Sequence, residues 1–342
     1  VPVTGLTIPV VVLACCRPAY LERTLSTIFQ RLPKTGPDTF EVWVSQDGPH
    51  EGVKKLVTEK FPQARYMQHV DGGAVKKASA GEADSYYKIA RHYGWCFNQV
   101  FADARFKYAI VLEDDLEVAP DFFAYMAAGA RLLERDPSLW TVSAWNDNGL
   151  AAFSRDASKV LRSDFFGGLG WLLSRNLWEE LGPRWPKAYW DDWMREPPQR
   201  RGRAIIRPEI SRTVTFGKEG SSQGQFFDSH LSKMVLNSDP QPFVQQDWSY
   251  LVKQNYDPPF LQAVKDAAVV DVKDALQATG EKKILYKDYN SFKRIAERLG
   301  IMSDEKAGVP RTAYLGVITL SRPGLTLYVA PASGAPYYKQ AV

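Results

Sequence analysis

The chain is poor in the side chains that build most zinc sites, with three cysteines and four histidines in 342 residues. Cys15 and Cys16 are adjacent and Cys96 stands alone, so no CxxC pair exists. His50, His69, His92 and His230 are scattered, without an HExxH. A cysteine–histidine zinc centre and a disulfide framework are both unsupported. The cysteines read most simply as small buried hydrophobes. Long apolar runs are also missing. None reaches the roughly 18 residues that a membrane-spanning helix needs, and no charged-then-apolar leader opens the chain.

A charge excess of one sign is absent as well. Forty-three basic and 39 acidic residues leave a net charge of +4, whereas nucleic-acid binding needs a clustered basic face. The longest basic cluster, residues 200–203, is short and reads as solvated surface. Hydrophobic residues at 45% and charged residues at 24% exclude disorder as the dominant state. Aromatics are plentiful, with 10 Trp and 16 Tyr. Such rings stack on sugars or bases, or simply fill cores.

The first half alternates strand and helix patterns. Residues 8–15 (IPVVVLAC) form a β-branched apolar run typical of a buried strand. Helical spacing follows over 19–32, with Leu21, Leu25 and Ile28 on one side. Strands are predicted at 40–45, 64–69 and 108–112, and helices at 52–61 and 85–101. A polar loop spans 71–83. Pro120 opens a further helix to about residue 133, at a tolerated first-turn position. Such alternation implies an α/β fold, a parallel sheet with helices on both faces, whose ligands bind at the carboxyl ends of the strands. Residues 216–225, rich in Gly and Ser, read as a mobile loop. Beyond about Pro258 the pattern changes: helices near 261–276 and 291–299, and short strands at 284–286, 316–320 and 325–329, suggest a smaller second domain.

Arg17, Asp47 and Glu113-Asp114-Asp115 each lie just past a predicted strand end. Three adjacent carboxylates after an apolar strand are costly unless a cation compensates, and oxygen ligands suit Mg²⁺ or Mn²⁺. The same triplet could instead be a solvated acidic turn. Arg17 could bind phosphate or form a surface ion pair. Asp47 could meet a ribose or base edge, or cap a turn with Gly48. His92 sits at the edge of the apolar stripe Ile89, Tyr93, Cys96, Val100, as a ligand contact or as a boundary histidine with one hydrogen bond. Asp191-Asp192 follow Tyr189-Trp190. Aromatic walls would raise the proton affinity of a carboxylate, as a general base for an alcohol requires; alternatively the pair caps a helix beginning near Trp193.

Longer segments carry a specific resemblance. VLEDDLEVAPDFF (111–123), SYYKIARHY (85–93), SAWNDNG (143–149), SDFFGGLGWLL (163–173), WPKAYWDDWMR (185–195), IRPEISRT (206–213), GSSQGQFF (220–227) and GVPRTAY (308–314) closely resemble glycosyltransferase family 13, over nearly the whole chain. The resemblance implies a GT-A fold in 1–217, a connecting segment with a donor-covering loop in 218–253, and a smaller α+β domain in 254–342. It implies Mn²⁺ as cofactor, UDP-GlcNAc as donor and the α1,3-arm mannose of a Man5GlcNAc2 N-glycan as acceptor, with inversion to a β1,2 linkage. Asp115 would ligate the metal. Arg17, Asp47, His92, Glu113, Asp114, Leu169, Trp190 and Ser222 would contact the donor, and Asp191 would be the base. Family members are Golgi type II membrane proteins, so this chain would be the lumenal part, with its anchor upstream. Animal members carry paired cysteines that this chain lacks: Gly48, Thr141 and Ile205 stand at three of those positions, and only Cys15 aligns. A related enzyme acting on another mannose acceptor, such as O-linked mannose, and a non-catalytic sugar-binding module are the alternatives. A nucleotidyltransferase would want a glycine-rich basic loop near the N-terminus, and LACCRPAY is not one.

Overall fold

The computed structural model describes residues 5–70, 73–79, 81–218, 220, 224 and 227–333. In chain order its elements begin β1 (Thr7–Ala14), α1 (Pro18–Arg31), β2 (Thr39–Asp47), α2 (Glu51–Lys55), β3 (Arg65–His69) and α3 (Asp84–Phe101). They continue through β4 (Tyr108–Glu113), β5 (Leu116–Val118), α4 (Phe122–Leu133), β6 (Leu139–Ser143), β7 (Val160–Ser163), β8 (Trp171–Ser174), α5 (Arg175–Leu181), α6 (Trp190–Arg195), α7 (Pro197–Arg200), β9 (Ala204–Pro208) and β10 (Thr213–Thr215). The remainder holds α8 (Lys253–Asp266), β11 (Ala268–Val269), β12 (Gly280–Tyr286), α9 (Tyr289–Leu299), β13 (Glu305–Lys306), β14 (Val309–Pro310), β15 (Ile318–Arg322) and β16 (Leu325–Pro331).

Eight strands form the central sheet in the order β3-β2-β1-β4-β8-β6-β9-β7. The first four are mutually parallel, and β8 enters antiparallel to both β4 and β6. Side chains alternate across the sheet, and both faces are apolar. Ile8, Val10 and Val12 of β1 join a core with Leu21, Leu25 and Ile28 of α1 and much of α4. Val11 and Leu13 point the other way, against Ala90, Tyr93, Phe97 and Val100 of α3. Each fully buried aliphatic side chain contributes about 1.5–3 kcal/mol, which is why an uninterrupted β-branched run sits here and nowhere near solvent. A third cluster joins β12, β15, β16 and α9 to Phe153 and Phe165.

Buried ion pairs fix the segments that border the site. Arg212 and Asp121 pair at 2.9 Å, and Arg162 and Asp136 at 2.7 Å, with all four side chains almost fully enclosed. Losing one partner of such a pair costs about 3–5 kcal/mol, because the other is left charged and dry.

Several sequence expectations need correction. Pro120 precedes α4, which starts at Phe122, and the Asp121 carboxylate is spent on Arg212 and Asn237 rather than on a cap. The helix expected at 52–61 starts at Glu51 and finishes as a π-turn, Leu56–Lys60. The helix expected at 261–276 runs instead from Lys253 to Asp266 and passes through Pro258 and Pro259. The carbonyls that these prolines cannot satisfy belong to Gln254 and Asn255, on the exposed side. Cys15 and Cys16 are exposed, since β1 ends at Ala14, and only Cys96 is buried; all three are free thiols. In the basic cluster, Arg200 is buried and paired with Asp164 at 3.2 Å, and Arg203 is held by Glu180 at 2.8 Å.

Candidate active site

Because β1, β2 and β4 are parallel neighbours, their carboxyl ends share one edge of the sheet. Leu13 lies opposite Glu113, and Asp47 opposite His69. Register thus brings Asp47 and the acidic triplet to one sheet edge, and Arg17 follows β1 at the cap position of α1.

Arg17 reaches across to the triplet. Its Nη2 donates to Asp114 Oδ1 in a tight ion pair and to Asp115 Oδ2 at 3.1 Å. Asp114 is buried, and its backbone carbonyl accepts a 2.8 Å bond from the Thr24 hydroxyl of α1. Glu113 Oε1 accepts from Tyr93 Oη at 2.8 Å. Burial pushes Glu113 up to about 7, reinforced by Asp115 and opposed by Tyr93 and Arg17. Asp114 rises to about 6, because burial outweighs Arg17. Gly217 closes over the triplet: a Cβ there would collide with the Asp115 carboxylate.

These residues fit a hard divalent cation. The donors are carboxylate oxygens, Asp114 Oδ2 is buried without a hydrogen-bond partner, and the neighbouring charge of Asp115 adds to burial in raising the proton affinity of Glu113 and Asp114. Among the described residues no three His, Cys, Asp or Glu side chains converge as a ready metal cage. A cation held by one or two carboxylates and completed by phosphate and water does not need one.

The other sequence candidates divide. Asp47 Oδ1 contacts His69 Nδ1 at 2.7 Å. The His69 ring stacks on His92 at 5.5 Å. His92 is buried and shares one hydrogen bond with Ser45 Oγ, at 2.7 Å. Burial, with His69 adding to it, pushes His92 down to about 3. His92 is thus a histidine with one hydrogen bond, buried rather than at the boundary of its stripe and placed behind the ring that meets Asp47. The Leu169 carbonyl accepts from Thr213 Oγ1 at 2.5 Å, which ties that loop to β10. Ser222 lies outside the described residues.

Trp190 and Asp191 part company at the start of α6. The indole is buried, stacked on Tyr93 at 4.2 Å and on Trp171 at 5.6 Å. The Asp191 carboxylate faces outward, 43% exposed, and pairs with Arg195 Nη1 at 2.8 Å. The expected enclosure of Asp191 between aromatic walls is therefore not what the fold produces, because Trp190 turns into the core and leaves its neighbour at the surface. Nor do Asp191 and Asp192 cap the helix. The cap position is Tyr189, in the left-handed region at φ 49°, and both aspartates occupy the first turn, where carboxylates favour the helix dipole.

Four partners of these residues emerge only in the fold: Tyr93 beneath Glu113, His69 beside Asp47, Arg195 across Asp191 and Asp192, and Lys306, 3.2 Å from Asp192 Oδ2. The first two lie in predicted elements. Their roles depend on pairing across the sheet, which spacing does not report.

The family model for the GNT-I family matches residues 3–341. The chain belongs to the GNT-I family. As a member of the GNT-I family it is a glycosyltransferase that transfers N-acetylglucosamine, and its mixed sheet with helices on both faces is a GT-A fold. Alpha-1,3-mannosyl-glycoprotein 2-beta-N-acetylglucosaminyltransferase from Arabidopsis thaliana is 45% identical over 313 residues, covering 90% of this chain and 70% of that one. Among solved structures, this GNT-I family member is similar to the mannosyltransferase PcManGT from Pyrobaculum calidifontis in complex with GDP-Man and Mn²⁺. That match has a TM-score of 0.32 and 15% identity, over 76% of this chain and 65% of the other. It is also similar to S. aureus TarS 1–349, with a TM-score of 0.42 and 10% identity, over 86% and 81% of the two chains.

Proposed function

We propose that this chain transfers N-acetylglucosamine from UDP-GlcNAc to O2 of the α1,3-arm mannose of a Man5GlcNAc2 N-glycan, with inversion to a β1,2 linkage. The observation that carries the reading is the Asp191 carboxylate, solvent-accessible and held by Arg195, on a helix whose first residue packs against the ring that supports Glu113. One accessible carboxylate facing the acceptor side, with a separate acidic cluster for the donor, is what a single displacement requires. The name of the 45% identical relative, with its α1,3-mannosyl glycoprotein and 2-β linkage, supports that choice of acceptor.

Asp191 takes the proton from mannose O2 as that oxygen bonds to the anomeric carbon. The bond from that carbon to the diphosphate oxygen breaks, and UDP leaves with the electron pair. General-base assistance of this kind contributes about 10² to 10⁴ in rate. Asp115, with Asp114 beside it, would hold Mn²⁺, which when bound neutralises charge on the departing diphosphate. Arg17 stands within reach of the same phosphates and offers them charge-assisted hydrogen bonds. Asp47 and the His69–His92 pair line the nucleotide side, and Leu169 and Trp190 border the sugar. The donor-covering loop with Ser222 belongs to the connecting segment, residues 218–253, between a catalytic domain of 1–217 and a smaller one of 254–342.

This reading assigns the protein to the Golgi lumen, with membrane attachment through an upstream anchor; no helix among the described residues is long and apolar enough to cross a membrane. The test is incubation with UDP-GlcNAc, Mn²⁺ and the Man5GlcNAc2 glycan, followed by mass spectrometry. A gain of one N-acetylhexosamine, dependent on Mn²⁺, is expected. An unchanged glycan, or transfer only to an O-linked mannose acceptor, would replace the reading.

A further inference from the structure

Tyr86 and Tyr189 come from α3 and from the residue that opens α6, and their rings stack with centroids 4.7 Å apart and planes 27° from parallel. Both are half-buried rather than part of a core cluster. Tyr86 precedes Tyr93 by seven residues, so it lies on the same face of α3 and roughly 10 Å further toward the helix start. Tyr93 is at the level of the acidic triplet, because its hydroxyl reaches Glu113. The tyrosine pair therefore stands about two helical turns of α3 beyond the level of the triplet, toward the helix start.

Two features show that this placement is imposed. Tyr189 holds φ 49° and ψ 47°, a left-handed conformation that is unfavourable for a bulky residue and persists only where surrounding structure enforces it. The same turn sends Trp190 inward and Asp191 outward. Next to it, the β13–β14 hairpin turns through Ala307 and Gly308, both at positive φ, and delivers Lys306 to Asp192, each about 40% exposed. An aromatic platform thus neighbours a partly exposed ammonium–carboxylate pair, with Tyr189 two residues before the base and Asp192 one residue after it.

We propose that Tyr86 and Tyr189, with Lys306 and Asp192, form an acceptor subsite for a hexopyranose of the oligosaccharide beyond the mannose that reacts. A pyranose has an apolar face of C–H bonds and a rim of hydroxyls. The tyrosine rings match the face, and the Lys306–Asp192 pair offers a donor and an acceptor to the rim. The inference rests on Asp191 as the base only for which side is the acceptor side.

Calorimetric titration with the free Man5GlcNAc2 glycan reads this subsite independently of catalysis. Tyr86→Ala and Tyr189→Gly, the latter also relieving the left-handed strain, should each weaken binding roughly tenfold, the scale of one lost ring contact. Tyr86→Phe and Tyr189→Phe keep the rings and should restore affinity to within about twofold. Thermal melts of the same samples separate lost contacts from lost folding. Where Tyr86→Ala does not fold, the Tyr189 pair decides alone. In turnover, KM for the glycan should rise while KM for UDP-GlcNAc holds. Equal glycan affinity in wild type and ring-deleted variants, or no glycan binding by wild type, would overturn the subsite. Ring-dependent binding without any transfer would leave the subsite standing and remove the transferase reading.

Discussion

The Tyr93 hydroxyl donates a 2.8 Å hydrogen bond to Glu113 Oε1. Its ring is meanwhile clamped against Trp190 at 4.2 Å, so one residue of α3 fixes both the first acid of the triplet and the root of the helix that carries Asp191. Tyr93→Phe keeps the ring stack and removes only the donor. An enclosed carboxylate that loses its partner costs about 1–3 kcal/mol. We expect a melting temperature lowered by a few degrees and kcat/KM reduced roughly tenfold. Unchanged kinetics in a well-folded variant would show that the bond does not matter to turnover.

Arg195 is the counterpart on the acceptor side. Its guanidinium is buried, bonds Asp191 and Asp192 at 2.8 Å each, and donates to the Phe166 carbonyl at 3.1 Å. Asp191→Asn should retain UDP binding and lose transfer by about 10² to 10⁴. Arg195→Met should lower kcat roughly tenfold or more through misplacement of the carboxylate, with donor KM little changed. If Asp191→Asn turned over near the wild-type rate, the base would lie elsewhere.

Calorimetry with UDP tests the triplet, with and without Mn²⁺. Asp115→Ala should weaken the Mn²⁺-dependent component at least about tenfold, as loss of a protein ligand to the cation would. Gly217→Ala should produce a milder form of the same defect, since the added methyl group displaces the Asp115 carboxylate. Equal affinities with and without metal in the wild type would remove the cation from this site.

His92 gives a pH signature of stability. Its folded value, about 3, lies below the ordinary 6.5, so between those limits the unfolded chain binds a proton that the folded chain refuses. The stability it allows is complete above pH 6.5 and declines as pH falls, by about 1.4 kcal/mol per pH unit. His92→Gln removes that proton. Urea denaturation at pH 7, 5.5 and 4.5 should show the wild type losing its advantage over the variant as the solution is acidified. A constant difference would mean that His92 titrates normally in the fold.

The strands that carry Arg17, Asp47 and the triplet were legible because each is a short β-branched run that ends in polar residues, and a buried parallel strand has few other ways to be written. Strands β6 to β9 were not, because they interleave with loops rich in glycine and aromatic residues, where period two and simple burial look alike. Asp191 was found as a residue and misjudged in its surroundings. Adjacency to Tyr189 and Trp190 suggests enclosure, but a left-handed residue at position 189 rotates the helix start and puts neighbours on opposite sides. The clamps on Asp191 and Asp192 come from 3 to 4 residues ahead and from a hairpin more than a hundred residues away, and only the folded chain joins them.

The short β5–β10 ribbon has a mechanical meaning. Leu116, directly after Asp115, pairs with Thr215, and the Phe216 amide bonds the Asp115 carbonyl at 3.1 Å. The root of the glycine-rich loop and the carboxylate that would carry the cation are thus bolted to the same two-stranded bracket, braced below by Arg212 and Asp121. A displacement of Phe216 is therefore passed to the Asp115 backbone through one hydrogen bond, so the entry to the loop and the carboxylate beside it share a support.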